Sequence, residues 1–224
     1  MRSGSPIALR AVFHALRKSP IGWPLRWKMY RQSRRRFASR RSMMAVSSPS
    51  SGSTRVLVTK LATPPGDDKL TLKGEVTLPH LFNPPLDPLT NGVRLLINDS
   101  AGNLLDLTIP GGAFVDPPAA GWKVNAKVPV SKWTYLNKTL APPAGITKVV
   151  AQDKSLKLPG LVKFLAKGKN GSYAAFSANL PLTGLMVLDP PTAETGQCGE
   201  LGFPGPAPSP ACVFDPVAGK LKCK

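Results

Sequence analysis

Short runs of alternating apolar and polar residues, separated by Pro, Gly, Asn and Asp, cover the chain from Thr54 onward. Such runs are typical of the strands of sandwiches and barrels. With 25 prolines among 224 residues, almost no helix of ordinary length fits this part of the chain. We therefore predict an all-β fold, an antiparallel β-sandwich of about ten short strands, over residues 54–224. The predicted strands are 55–61, 69–73, 74–78, 93–98, 104–109, 122–126, 132–136, 146–151, 161–167, 173–178 and 185–188, with further pieces near the C-terminus.

One predicted hairpin joins the runs 93–98 and 103–109. The sequence between them is DSAG, residues 99–102. Asp or Ser in such a turn can accept hydrogen bonds from the neighbouring backbone, and Gly can adopt a positive φ. The pattern therefore predicts a tight turn and two adjacent antiparallel strands.

A second predicted hairpin is centred on Asn170 and Gly171, the pair most favoured where both turn residues need a positive φ. Its first strand should bury one face only, because successive side chains point to opposite sides of a strand. Val162, Phe164 and Ala166 are predicted to face the core, and Lys163, Leu165 and Lys167 to face mostly solvent.

The basic charge is concentrated at the N-terminus. The chain has a net charge of +18, and its first 66 residues contain 14 Lys or Arg and no Asp or Glu. The remaining residues contain 16 basic and 12 acidic side chains, a net charge of only +4. A basic segment rich in Ser and Pro cannot bury enough apolar surface to offset the entropy of ordering it. We therefore predict that residues 1–53 are a disordered basic tail, separate from one domain at 54–224.

Four interpretations of the tail remain open. It can be an arm that binds nucleic acid or another polyanion, or an organellar transit peptide. SRRRF, residues 33–37, resembles the start of a twin-arginine export signal, but no long apolar stretch follows it. The tail can also be an extension ahead of a true start at Met43 or Met44. The arginines of the polyanion arm would be Arg31, Arg34, Arg35, Arg36, Arg40 and Arg41.

The three cysteines, Cys198, Cys212 and Cys223, favour a disulfide in an oxidising compartment, because they lie in a Pro-rich segment where a packed core is hard to build. We expect the pair Cys198–Cys212, which would close a loop and stabilise the fold by about 3 kcal/mol on the chain-entropy estimate. One alternative is Cys212–Cys223, which would face each other if CVFD and KLKC pair as strands. Another is that all three thiols are unpaired.

No catalytic motif, metal site or cofactor site emerges from the remaining residues. His80 lies in a turn-rich connection and is expected to pack or face solvent rather than act as a base. Asp87, Asp99, Asp116, Asp189 and Asp215 stand at turns, where a carboxylate accepts local backbone hydrogen bonds; weak calcium ligation is the alternative. The prediction is therefore that the protein is not an enzyme and holds no cofactor.

Two groups of residues are candidates for binding. Trp133 and Tyr135 share one face of a strand, with Trp122 nearby, and such a row stacks on sugar rings if exposed or forms core if buried. The second group forms a patch for an acidic glycan or phosphate surface, unless its members only keep the strands soluble. Its lysines are Lys148, Lys154, Lys157, Lys163, Lys167 and Lys169.

Several segments together resemble a known group of domains: DPLTNGVRLLINDSAGNLLDLTIPGGAF, GWKVN, KWTYLNK, GITKVV, VKFLAKGKNGSY and GQCGELGFPGPAPSPACVF. Over residues 56–224 the chain resembles a functionally uncharacterised β-rich domain that recurs in predicted exported proteins of environmental bacteria. The resemblance implies an exported β-domain and transfers no catalytic or ligand-binding residue.

These observations favour a non-enzymatic β-domain outside the cytoplasm, in the periplasm, at the cell surface or in the medium. We expect a structural or binding module whose partner is a glycan, an envelope component or a protein. Nucleic acid is a partner only if the arginine arm is functional. No stretch of the sequence reaches the 18 or so apolar residues of a transmembrane helix.

Overall fold

The structure, a computed structural model, describes residues 54–61, 64–79, 81–175, 179–206 and 208–224. It confirms the all-β prediction. A short helix α1 (Pro88–Asn91) and a 3₁₀ turn (Pro143–Gly145) accompany twelve strands in the described residues. The strands are β1 (Arg55–Thr59), β2 (Asp68–Thr77), β3 (Val93–Asn98), β4 (Asn103–Ile109), β5 (Ala120–Val124), β6 (Lys132–Asn137), β7 (Ile146–Asp153), β8 (Leu161–Gly171), β9 (Thr183–Val187), β10 (Cys198–Gly202), β11 (Cys212–Asp215) and β12 (Lys220–Cys223).

The strands form two antiparallel sheets. The large sheet has eight strands in the order β11-β12-β1-β2-β8-β7-β6-β5, and the small sheet has four in the order β10-β9-β3-β4. The first strand, β1, pairs with both β2 and β12, so strands distant in sequence are neighbours in the large sheet.

The core lies between the sheets because each strand turns its apolar positions inward. In β2, Leu70, Leu72 and Val76 are buried at alternate positions, and Leu95 and Met186 are buried on the small sheet. Strand β8 follows the predicted alternation: Val162, Phe164 and Ala166 are buried, while Lys163, Leu165 and Lys167 are partly or fully exposed.

Glycines allow the two sheets to approach closely where β2 meets β10. A Cβ atom on Gly199 would lie 2.2 Å from a methyl group of Val76, and one on Gly74 would lie 2.6 Å from a methyl group of Leu201. A side chain at position 199 would overlap the branched Val76, and one at position 74 would require the end of the Leu201 side chain to shift. The runs 69–73 and 74–78, predicted as two strands, form the single strand β2, with Gly74 inside it.

The hairpin predicted at DSAG is present between β3 and β4. The Asp99 Oδ1 accepts hydrogen bonds from the backbone N–H groups of Ala101 at 2.8 Å and Gly102 at 2.9 Å. Gly102 has a φ of 144°. Both expected devices, the aspartate bound to its own turn and the glycine at positive φ, therefore occur.

The hairpin predicted at Asn170 and Gly171 is wrong. Strand β8 continues to Gly171, and Tyr173 lies outside any strand. Asp68 pairs with Gly171 and Lys69 with Lys169, which leaves Asn170 as an extra residue with a φ of 55°. The positive φ expected for a turn is therefore used in a β-bulge, a feature that also suits Asn.

Tyr173 anchors the chain just after the end of β8, where the hairpin was expected. Its ring packs against Gly171, where a Cβ atom would come within 2.5 Å of the ring. Its hydroxyl donates to the Ala144 carbonyl at 2.8 Å, and its backbone N–H donates to the buried Asp68 carboxylate at 2.7 Å. The chain after the bulge is thus bound to both β2 and the 3₁₀ turn.

Candidate functional site

The aromatic row does not form a sugar-binding surface. Trp122, Trp133 and Tyr135 are all buried. The Trp122 indole N–H donates to the Pro110 carbonyl at 2.9 Å, and the Tyr135 hydroxyl accepts from Asn137 at 3.1 Å. Trp133 and Tyr135 do share a face of β6, as predicted, but that face is the inner one. Of the two alternatives stated for this row, the structure therefore supports the second: these side chains form core rather than a surface on which a sugar stacks.

The disulfide joins Cys212 to Cys223, not Cys198 to Cys212. Strands β11 and β12 pair so that Cys212 and Cys223 are directly opposite. The adjacent pair, Ala211 and Lys224, exchanges both backbone hydrogen bonds, so the cysteines occupy the closer, non-hydrogen-bonded type of position. The favoured prediction failed because it counted loop length, whereas strand register decides which thiols meet.

Cys198 is a free, buried thiol on the small sheet. It packs with Val187 and Ala193 beneath the connection between β9 and β10. Burial, and then the charges of Asp189 and Glu200, raise the pKa of the Cys198 thiol. A protonated, covered thiol is a poor nucleophile, so this residue is part of the packing rather than a reactive group.

The connection that covers Cys198 is held by Arg94 on the outer side of the small sheet. Arg94 donates two hydrogen bonds to the Asp106 carboxylate, at 2.8 and 2.7 Å, and a third to the Pro191 carbonyl at 3.0 Å. The bonds from Arg94 lower the pKa of Asp106. The pair therefore has a structural role.

Four of the five aspartates predicted at turns accept backbone hydrogen bonds, and Asp116 is the exception among them. Asp87, Asp99, Asp189 and Asp215 bind the N–H groups of Thr90, Ala101, Thr195 and Ala218, respectively. Among the described residues, no three His, Cys, Asp or Glu side chains gather in a way that would hold a metal ion. His80 and the six arginines of the proposed arm lie outside the described residues.

Basic side chains dominate the outward side of the large sheet. Their positions follow from the alternation along each strand. Leu70 in β2 and Phe164 in β8 are buried, so the residues that alternate with them on the same strands point outward. Among the described strand residues on this side, the acidic ones are Glu75, which binds Lys163 at 2.5 Å, and Asp215, opposite Lys220. The edge strand β5 adds Lys123, whose ammonium lies over the Phe114 ring. We call the basic set of the other strands the lysine face: Arg55, Lys69, Lys73, Lys132, Lys148, Lys163, Lys167, Lys169, Lys220 and Lys222.

Like charges stand directly opposite each other on the lysine face. Arg55 pairs with Lys73, Lys69 with Lys169, and Lys148 with Lys167. Such cross-strand pairs are unfavourable, where an opposite-charge pair would contribute about 0.2–1 kcal/mol. The arrangement therefore costs stability in the isolated domain and concentrates positive potential across three adjacent strand pairs.

The lysine face continues into a cleft at one end of the sheet. The cleft, about 720 Å³, lies between the β5–β6 loop (residues 125–131) and the β7–β8 loop (residues 154–160). Lys163 and Gln152 border both the cleft and a shallower depression of about 280 Å³ on the face. The lysines that line the cleft are Lys127, Lys154, Lys157 and Lys163.

All six lysines predicted as a patch lie on this side of the domain, four on the lysine face and two at the cleft. Sequence reasoning missed the members contributed by β1, β2, β6 and β12, which are remote in sequence. The available signal was the alternation in KLTLK and KLKCK, where lysines occupy the polar positions of strands whose apolar positions are buried. Which strands are neighbours cannot be derived from that alternation alone.

Searches against protein-family models, curated proteins and solved structures found no match to this chain. In the described residues, no helix is long and apolar enough to span a membrane.

Proposed function

We propose that this protein is a non-catalytic binding module of the cell exterior that holds an anionic polysaccharide against its lysine face. The observation that carries the proposal is the set of three like-charged cross-strand pairs, Arg55–Lys73, Lys69–Lys169 and Lys148–Lys167. A bound polyanion would convert each of these repulsions into an attraction. The free energy that repulsion costs in the free domain is then recovered on binding and strengthens the affinity for the ligand.

The shape of the surface favours an extended polymer over a small anion. Lys163, Lys167 and Lys169 point outward along one strand, and at about 3.3 Å per residue the first and last are about 20 Å apart. Lys148 and Lys132 on the neighbouring strands widen this line. Repeated anionic groups along a chain can meet these lysines in succession.

The residue types favour a polysaccharide over a nucleic acid. Single strands are held by exposed aromatic side chains on which bases stack, and Trp122, Trp133 and Tyr135 are buried. Arginine forms bidentate hydrogen bonds with phosphate, whereas lysine acts as a point charge. Arg55 is the one arginine of the lysine face, so the face lacks the residue type typical of phosphate recognition. The disulfide Cys212–Cys223 supports an exterior location, since disulfides persist in oxidising compartments.

The test compares two variants of the full chain with the same change in net charge. Lys148→Glu/Lys167→Glu reverses one pair on the lysine face, and the control Lys60→Glu/Lys138→Glu reverses two lysines outside it. Binding of heparin and polygalacturonate is measured by calorimetry over a range of salt concentrations. We expect the first variant to lose at least about tenfold in affinity, because each reversal replaces attraction by repulsion, and to show a shallower salt dependence.

Equal losses in both variants would overturn the proposal, because binding would then follow net charge. Tight binding of duplex DNA that the face variant leaves unchanged would also overturn it, and would assign the polyanion site to the arginine arm.

A further inference from the structure

Two loops beside the cleft present apolar side chains to solvent. Val128, in the β5–β6 loop, is 97% exposed, and Leu156, in the β7–β8 loop, is 107% exposed. Leu158, in the second loop, is half exposed. Single exposed apolar residues are common, but here two neighbouring loops each carry one at the same end of the domain.

Hydrogen bonds within and between the two loops hold the segments that expose Val128 and Leu156. The Asn125 carboxamide oxygen accepts from the backbone N–H groups of Ser131 at 3.1 Å and Lys132 at 3.0 Å, which closes the first loop. In the second loop, the Asp153 carboxylate accepts from the Ser155 N–H at 2.7 Å. The Asp153 N–H donates to the Ser131 carbonyl at 2.9 Å, which joins the loops.

Lysines flank the apolar tips. Lys127 precedes Val128, and Lys154 and Lys157 lie on either side of Leu156 in sequence. All three lysines line the cleft between the loops, where the one acidic neighbour among the lining residues, Asp153, is bound to its own turn. The Ser155 hydroxyl oxygen is buried there without a hydrogen-bond partner.

This combination favours a lipid surface over a protein. Lysine is depleted at protein interfaces, whereas at membranes basic side chains bind anionic headgroups while neighbouring apolar side chains enter the acyl boundary. We propose that this end of the domain docks on an anionic lipid bilayer, with Val128 and Leu156 inserted and Lys127, Lys154 and Lys157 against lipid phosphates. The cleft adjoins the lysine face and shares Lys163 with it, but the inserted side chains and their flanking lysines lie outside the face. The inference therefore goes beyond the polysaccharide proposal and does not depend on it.

The experiment uses full-length protein and two serine variants that leave the charge unchanged. Val128→Ser/Leu156→Ser removes the apolar side chains at the tips of the two loops. The control Leu140→Ser/Val217→Ser removes two side chains that are 102% and 96% exposed at the opposite end of the large sheet. Since all four side chains are exposed, neither variant should disturb folding, and thermal unfolding checks this point.

Binding is measured by co-sedimentation with phosphatidylcholine vesicles, with and without phosphatidylglycerol. We expect wild type and control to bind the anionic vesicles, and the loop variant to bind at least about tenfold more weakly, since its apolar insertion is lost. Its heparin affinity should be unchanged.

Equal vesicle binding by the loop and control variants would overturn the inference, because the charges of the lysine face or the tail alone would then explain it. Equal binding to vesicles without phosphatidylglycerol would refute the lysine contribution. A third arm adds soluble glycerol phosphate: displacement of the protein from vesicles at low concentration would identify the cleft as a site for the free phosphate and overturn the membrane assignment.

Discussion

Tyr173 is a buried phenol next to a carboxylate, and this environment makes stability depend on pH. Burial, and then the charge of Asp68, raise the pKa of Tyr173 from 10.0 to about 12. In the unfolded chain the phenol ionises near pH 10, so the folded state retains a proton that the unfolded state has lost. The stability linked to this proton is complete below pH 10 and disappears as the pH rises through about 12.

We therefore predict that Tyr173→Phe removes an alkaline loss of stability. At pH 7 the variant should be about 1 kcal/mol less stable, because the hydrogen bond to Ala144 is lost. Urea unfolding at successive pH values measures the difference between the two proteins. That difference should shrink between pH 10 and 12; a constant difference across this interval would contradict the assignment.

The thiols provide a second prediction at the scale of single residues. In the native state without reductant, iodoacetamide should modify none of the cysteines of the described domain, because Cys198 is buried and the other two are joined. Denaturation without reductant should expose Cys198 alone. Mass spectrometry of peptides identifies the site, and a label on Cys212 or Cys223 under these conditions would rule out the disulfide.

At the scale of elements, the close approach of β2 and β10 depends on glycine. Gly199→Ala would place a Cβ atom 2.2 Å from a branched side chain, Val76, which has little freedom to move. We predict a loss of about 1–3 kcal/mol in the free energy of unfolding, typical of overpacking. Gly202→Ala is the matched control on the same strand, since its nearest contact would be 3.9 Å away.

A second substitution distinguishes the contact with Val76 from other causes of destabilisation. In the background Val76→Ala, the alanine at position 199 has room, so Gly199→Ala should cost much less there than in the wild-type chain. Additive losses in the double variant, measured by urea unfolding, would show that contact with Val76 is not the cause.

The individual elements also show which structural features could be predicted from the sequence alone. The β3–β4 hairpin was predictable because Asp99 and Gly102 act within their own turn. Asn170 and Gly171 carried an equally strong local signal, yet tertiary contacts from Asp68 and Ala144 to Tyr173 turn that segment into a bulge and an anchor. The cysteine pairing failed for a related reason, because the register of β11 and β12 is set by contacts outside the segment.

The candidate site was only partly predictable, because part of its pattern is local and part depends on strand pairing. Lysines at alternate positions indicate an outward strand face, and this much is local. The opposition of Lys148 to Lys167, or of Arg55 to Lys73, depends on strand order and register across the whole sheet. The aromatic row shows the converse limit: alternation placed Trp133 and Tyr135 on one face of β6 without indicating which face is inside.

At the scale of the whole molecule, the like-charged pairs of the lysine face cost stability. Lys167→Glu turns the Lys148–Lys167 repulsion into an attraction, and we predict a gain of about 0.5 kcal/mol in the free energy of unfolding at low salt. Lys167→Gln, which removes the repulsion only, should gain less. Urea unfolding at low and high salt measures both gains, which should shrink as salt screens the charges; no gain in either variant would contradict the proposed cost of the face.

The position of β1 between β2 and β12 has a consequence for the order in which the protein is made. Val56 lies opposite Cys223, so β1 cannot acquire this partner until nearly all of the described chain has been synthesised. Pairing between such distant segments is slow, and an unpaired strand edge invites association with other chains. During synthesis one edge of β1 therefore stays unpaired until β12 follows, and the sheet that carries the lysine face is completed only near the end of the described chain.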